Sequence, residues 1–306
     1  MGRAGSLDSA VYPPRSAYRV PLPNGELILG DRPLVMGILN VTPDSFADTE
    51  HVDAERAVDV ALAMQAAGAD IIDLGGESTR PGAVPVPADE ELRRVMPVLR
   101  AFRGRLSIPV SIDTYKSEVA RAAVGEGVSI VNDISGLQYD AAMAETVAQL
   151  GAAIVLMHTR GRSVDMYAKA NYGDIVDEVG TELRDSMTVA VRAGVSLDRI
   201  VVDPGIGFAK RPAHSYGLLA RIAELSAALN RPVLAGPSRK SFMREALADR
   251  PAVERDWGTA AAVTAAVLAG AHIVRVHAVA EMVQVVRVAE ATRLHGCIGG
   301  IGSTSS

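Results

Sequence analysis

The chain has 306 residues, 48% hydrophobic but only 4% aromatic, a core-rich composition that suits an α/β protein better than an all-β one. Its net charge of -5 offers no general basic field for nucleic acid, so any anion must be held by a local cluster. The single cysteine, Cys297, excludes an internal disulfide and reads as a passive thiol, and no apolar run approaches the ~20 residues of a membrane span, which together suit a cytoplasmic protein.

Residues 1–14 read as a flexible arm, in which Gly2 and Ser6 match a myristoylation pattern too short to carry weight. In "YRVPLPNGELIL", Asn24-Gly25 between apolar runs predicts a β-hairpin. From 15 to 296 the pattern reads as one domain without an interior linker, and 297–306 as a Gly/Ser-rich, disordered tail. Inside the domain, short apolar runs recur in the order "LVMGILN", "ADIIDLGG", "IPVSIDT", "SIVNDIS", "AAIVLMH", "RIVVDPG", "RPVLAG" and "HIVRVHA". Helical spacing fills the gaps. "AERAVDVALAMQAAGA" stops near Gly68, and "DAAMAETVAQLGA" runs from Asp140 as N-cap to Gly151 as stop. About eight such alternations predict a parallel (β/α)₈ TIM barrel, with the hairpin before its first strand.

Each run ends in polar residues. The first reaches Asn40, followed by Thr42, Asp44 and Ser45; the second runs to Glu77, Ser78, Thr79 and Arg80; the third ends at Asp113 and Thr114. The others reach Asn132 and Asp133, then His158, Asp203, the Ser238-Arg239-Lys240 group, and finally Arg275 and His277. Strand C-termini converge on one rim of such a barrel, where its active site lies.

A carboxylate walled by apolar groups, as Asp113 and Asp203 would be, accepts paired N–H donors well, and Asn132 offers both donor and acceptor. A nitrogen heterocycle fits that set. Asp113 could instead cap a helix, Asp203 could cap the Pro204-Gly205 turn, and Asp133 reads as a turn cap. Arg239 and Lys240 precede a helix-like segment, where cations are disfavoured, so a ligand acceptor is their simplest reward. Arg275 and His277, two apart and so on one face of a strand, suit a phosphate or diphosphate. Arg275 could otherwise pair across the rim with Asp113 or Asp203. His51, His214 and His295 read as surface residues and Trp257 as a packing residue, while His158 belongs to the rim. No zinc-like His/Cys spacing, phosphate-binding loop or dinucleotide fingerprint is present in the sequence.

The stretches "VMGILNVTPDSF", "GADIIDLGGESTRPGA", "PVSIDT", "VNDISG", "DPGIGFAK", "SRKSF" and "VRVH" occur in the order of the dihydropteroate synthase family, which the chain resembles from Met36 to His277. The resemblance implies a pterin-binding TIM barrel, a cytoplasmic homodimer and the folate-pathway transfer of a dihydropterin methyl group from diphosphate to 4-aminobenzoate. It further implies Asp113, Asn132, Asp203 and Lys240 around the pterin; Asn40, Arg275 and His277 around the diphosphate; and Thr79, Arg80, Phe208 and Ser238 around the aminobenzoate. Arg275, His277 and Lys240 are the expected catalytic residues, and Asn40 the expected protein ligand of Mg²⁺. Ala278 stands where the family has Asp after its "RVH" histidine, "ADTEHVD" lacks the family's glycines after "DSF", and "LMHTRGRS" replaces "MHMQG". These departures bear on closure of the first loop and on binding of sulfonamide mimics. The alternatives implied by the fold are a non-catalytic pterin-binding paralogue and a methyltetrahydrofolate–corrinoid methyltransferase, though the latter has no diphosphate to hold.

Overall fold

The structure, a computed structural model, describes residues 12–41, 47–48, 51–78, 83–162 and 164–296. Gly2, Ser6, Thr42, Asp44, Ser45, Thr79, Arg80 and Cys297 lie outside the described residues.

The Asn24-Gly25 signal forms its hairpin: β1 (Tyr18–Leu22) pairs antiparallel with β2 (Gly25–Leu29). A two-residue antiparallel ladder, β4 (Ala47–Asp48) with β5 (His51–Val52), follows the first barrel strand. The barrel strands are β3 (Leu34–Asn40), β6 (Ile71–Gly75), β7 (Val110–Asp113), β8 (Ile130–Asp133), β9 (Ala153–Met157), β10 (Ile200–Asp203), β11 (Leu234–Ala235) and β12 (Ile273–Val276). They pair in parallel in the order β10-β9-β8-β7-β6-β3-β12-β11. A parallel bridge between Val202 and Val233 joins the two ends of that order, completing the expected eight-stranded barrel.

Strand parity then sorts the side chains. Val35, Ile72, Val131, Ile154, Val202 and Val274 point outward into the core shared with the helices. Met36, Ile71, Ile130, Val155, Val201, Leu234 and Ile273 point inward and pack with Val20, Leu22, Leu27 and Leu29 of the hairpin, which plugs the barrel at the N-terminal ends of its strands. Two residues further along the same inward faces stand Asp73, Asn132, Asp203 and Arg275, level with Asp113. The barrel interior is therefore apolar below and charged above.

The helices start and stop where local chemistry dictates. Asp53 caps α1 (Ala54–Ala67) by accepting from Arg56 N, and Gly68 ends it at φ 103°. Helix α2 (Ala88–Phe102) carries Glu91 on its buried face, and α3 (Ser117–Gly125) follows β7. Helix α4 (Met143–Leu150) stops at Gly151 as expected but begins beyond Asp140, whose Oδ1 accepts from Ala142 N (2.9 Å) and whose Oδ2 accepts from Ser117 N (2.7 Å), the first residue of α3. The chain completes its ring with α5 (Ile175–Arg192), α6 (Pro212–Ala220), α7 (Ile222–Leu229), the short α8 (Arg244–Leu247), α9 (Asp256–Leu268) and α10 (Val279–Gly296). Trp257, expected to pack, is 89% exposed because it lies on the outer face of α9's first turn.

The closed end is latched by charge. Arg15, its side chain fully buried, donates to both oxygens of Glu290 on α10 (2.8 and 3.0 Å) and to the carbonyl of Ala271 (2.9 Å). Arg293 also donates to both oxygens of Glu290 (3.2 Å each), so the carboxylate keeps one partner when Arg15 is lost. Arg15→Ala removes the charge-assisted hydrogen bonds of a buried cation and should cost about 2 kcal/mol, seen as a lower urea midpoint, without changing substrate KM at the far end of the barrel.

Candidate active site

The charged upper layer is built around Arg275. Its Nε donates to Asp73 Oδ2 and its Nη2 to Asp113 Oδ2, both at 2.6 Å. Asn132 Nδ2 donates to the same Asp73 oxygen at 3.0 Å. The cross-rim ion pair left open from sequence is thus formed with Asp113, and Asp73 is its second partner. Sequence reasoning passed over Asp73, although an acid inside "IIDLG" is itself a signal: alternation from Ile71 puts it inside the barrel. Burial opposes the charge on Arg275, but the two carboxylates outweigh it and hold the guanidinium above its ordinary value.

Small residues leave room between these groups. A Cβ on Gly236 would stand 3.8 Å from Arg275 Cβ, 3.8 Å from Lys240 Nζ and 3.9 Å from Asp203 Oδ2, so these three groups converge on one glycine. A Cβ on Gly75 would stand 3.3 Å from Asn40 Oδ1 and 3.5 Å from Asp113 Cβ. Lys240 donates to Ile206 O (2.5 Å) and lies 4.5 Å from the centre of the Phe208 ring. Asp203 uses Oδ1 to accept from Gly205 N (2.7 Å), so it caps the turn with one oxygen and turns the other toward Lys240 and Arg275. The buried Asp73 Oδ1, Asp113 Oδ1 and Ser111 Oγ have no hydrogen-bond partner among the described residues. These are orphaned acceptors in a site otherwise rich in donors.

Burial shifts the titrations. It pushes Asp203 up, with Lys240 opposing, and pushes Lys240 down to about 8, with Asp203 opposing. Asp113 rises from 3.8 to about 7: burial drives it, Arg275 pulls it back and Asp73 adds to it. A carboxylate whose folded value exceeds its unfolded one binds more protons when folded, so it costs stability as pH rises between those values. The contribution of Asp113 to the stability of the ligand-free protein should accordingly fall from pH 3.8 toward about 7, and Asp113→Asn should remove that component from a urea-midpoint profile against pH.

Other sequence expectations sort differently. His277 lies one residue beyond β12; its Nδ1 is 2.9 Å from Ser238 Oγ, which also accepts from His277 N, so the aminobenzoate candidate Ser238 sits against the diphosphate candidate. Arg239 does not reach the site. It pairs with Asp256 at 2.7 Å through both Nε and Nη2, and this carboxylate, not a ligand, offsets its place before a helix. Asp133 caps the next turn, accepting from Ser135 N and Leu137 N (both 2.8 Å), and is wholly buried. His214 is half-buried against Tyr172 and His295 is exposed. Glu77 and Glu91 both take Lys116, and Tyr115 Oη donates to Glu77 (2.8 Å), bracing the end of the β6 segment against α2.

For a divalent cation, no group of three or more His, Cys, Asp or Glu gathers among the described residues. Asn40 Oδ1, a hard oxygen beside Gly75 at the rim, fits Mg²⁺ that takes most of its ligands from water and phosphate oxygens. No described helix is long and apolar enough to cross a membrane.

The chain matches the family described as pterin binding enzyme over residues 36–277. It is 45% identical over 274 residues to the dihydropteroate synthase of Synechocystis sp., covering 89% of this chain and 94% of that protein. To the Escherichia coli dihydropteroate synthase it is 44% identical over 261 residues, covering 85% of this chain and 92% of that one. Among solved structures, the Xanthomonas albilineans dihydropteroate synthase with 4-aminobenzoic acid superposes with a TM-score of 0.83 at 42% identity, over 91% of this chain and 99% of that one. The Burkholderia cenocepacia dihydropteroate synthase complexed with 7,8-dihydropteroate gives 0.80 at 39% identity, over 91% and 97%.

Proposed function

The chain belongs to the pterin-binding enzyme family, and from that premise we infer that it is a transferase acting as a dihydropteroate synthase in folate biosynthesis. It joins 4-aminobenzoate to (7,8-dihydropterin-6-yl)methyl diphosphate, giving 7,8-dihydropteroate and diphosphate. The observation that carries the reading is the inward-facing upper layer, where Asp113, Asn132 and Asp203 stand at one level of the barrel interior with Arg275, and Lys240 converges with Asp203 and Arg275 on Gly236.

In this reading the free oxygen of Asp203 and the orphaned Oδ1 of Asp113 accept from N–H groups on the pterin edge. Asn132 and Lys240 complete the ring's hydrogen bonds. Arg275 and His277 hold the diphosphate, and bound Mg²⁺, with Asn40 as its protein ligand, would add charge neutralisation there. The bond between the pterin methylene carbon and the diphosphate oxygen breaks with its electron pair leaving on oxygen. Arg275 and His277 stabilise the charge that builds there, and the ring-binding carboxylates favour the electron-poor pterin. The arylamine nitrogen, seated by Thr79, Arg80, Phe208 and Ser238, then bonds to the methylene carbon and loses a proton. A homodimer in the cytoplasm is the assembly and location this family membership suggests.

The deciding assay is diphosphate release with 4-aminobenzoate present and omitted. Release that depends on the amine is the expected outcome. Tight pterin binding with no release under either condition would mean a binding paralogue instead.

A further inference from the structure

The 204–210 turn carries Phe208 and follows directly from Asp203, yet it contains no helix or strand. Gly205, Gly207 and Ala209 have φ of 66°, 81° and 48°. Four successive carbonyls in it are taken by side chains: Ile206 O by Lys240 Nζ (2.5 Å), Gly207 O by Tyr167 Oη (3.4 Å), Phe208 O by Lys210 Nζ (3.0 Å) and Ala209 O by Tyr172 Oη (3.0 Å). A turn without a ladder has to find its partners elsewhere, and of these donors Lys210 is the innermost, at 1% exposure.

Three acceptors surround Lys210 Nζ: Phe208 O, His158 Nδ1 at 2.8 Å and His158 O at 3.4 Å. An ammonium has three N–H groups to match them. His158 Nε2 stands 3.0 Å from Glu182 Oε2, so Nε2 carries the ring proton and Nδ1 presents a lone pair to Lys210. Burial and the neighbouring Lys210 push His158 down to about 4, so its ring is neutral. Burial drives Lys210 well below the ordinary lysine value; Asp203 and Glu182 oppose that, while Lys240 and Arg160 add to it. The connection to the site is short. Gly205 is pressed against the carbonyl of His158, a Cβ on it would lie 3.4 Å from Lys210 Nζ, and its N–H donates to Asp203.

We propose that Lys210 is a positioning residue of the reaction: a buried ammonium, oriented by a neutral His158 backed by Glu182, that holds the 204–210 turn so that Asp203 meets the pterin edge. This rests on the reading of the barrel mouth as a pterin site. Neither Lys210 nor Glu182 hydrogen-bonds a residue of the upper layer, so the positioning passes through the turn, while the charge of Lys210 also favours the ionised form of Asp203.

Two measurements on the full chain test it. Lysine side-chain ¹⁵N NMR at pH 7.5 should place Lys210 Nζ among the ammonium signals; an amine signal overturns the proposal, whatever the enzyme binds. Lys210→Met should weaken binding of 6-hydroxymethyl-7,8-dihydropterin about thirtyfold, while inorganic diphosphate binding stays within about threefold. Equal loss of both ligands, or loss of neither, overturns it. His158→Gln keeps an acceptor for Lys210 and a donor for Glu182, so it should rescue the pterin affinity that His158→Leu loses. If Lys210→Met does not fold, equal affinities in the two His158 variants overturn the proposal. A wild-type chain that binds no dihydropterin would sink the functional reading instead, leaving the ammonium signal as a separate result.

Discussion

Arg275→Ala should lower kcat by about a thousandfold, the range seen when a donor aimed at developing charge is removed. Two losses combine. The guanidinium no longer neutralises the departing diphosphate, and Asp73 and Asp113, 0% and 6% exposed, lose the cation they share. Burial raises Asp113 and Arg275 pulls it back, so without the guanidinium Asp113 holds its proton more tightly and the ring-reading edge changes with it. Arg275→Lys keeps a point charge but cannot reach both acids from two fixed nitrogens, and should recover only part of the rate. Steady-state kinetics at saturating substrates, with folding checked by circular dichroism, decides the matter. An Arg275→Ala enzyme turning over within threefold of the wild type would mean the diphosphate leaves somewhere else.

The second large effect is expected at Asp203. Asn at this position keeps the turn, because its side-chain oxygen can still accept from Gly205 N, which Asp203 does at 2.7 Å. It presents an amide where the pterin needs a second acceptor, and removes the carboxylate facing Lys240. A mismatched donor in a buried site costs about 3 kcal/mol, so pterin affinity should fall by about a hundredfold. Inorganic diphosphate should bind as before. Calorimetric titration with each ligand separates the two, and equal affinity of Asp203→Asn for the pterin would remove Asp203 from the ring site.

Several misreadings have one cause. The local setting of Arg239 lacks a counter-charge and so points to a ligand, but Asp256 arrives from the start of α9. The size and apolarity of Trp257 point to a packing role, but which face of a helix turns outward depends on what packs beside it. Asp140 has the right local chemistry for an N-cap, and it divides its carboxylate between Ala142 N just before its own helix and the first N–H of a neighbouring one. Lys210 lay inside a quoted stretch, "DPGIGFAK", yet nothing local says that its chain bends inward to His158, a residue 52 positions away.

From sequence alone came the alternation of strands and helices, the hairpin, and the inward parity of Asp113, Asn132, Asp203 and Arg275. These follow from periodicities of two and 3.6 residues, which are properties of the local backbone. Which charges meet belongs to the tertiary structure. Closing the barrel sets Arg275 on Asp73, 202 residues earlier, and folds the 204–210 turn over a buried lysine. Pairings of that kind depend on strand order and on desolvation, and both exist only once the cylinder has closed.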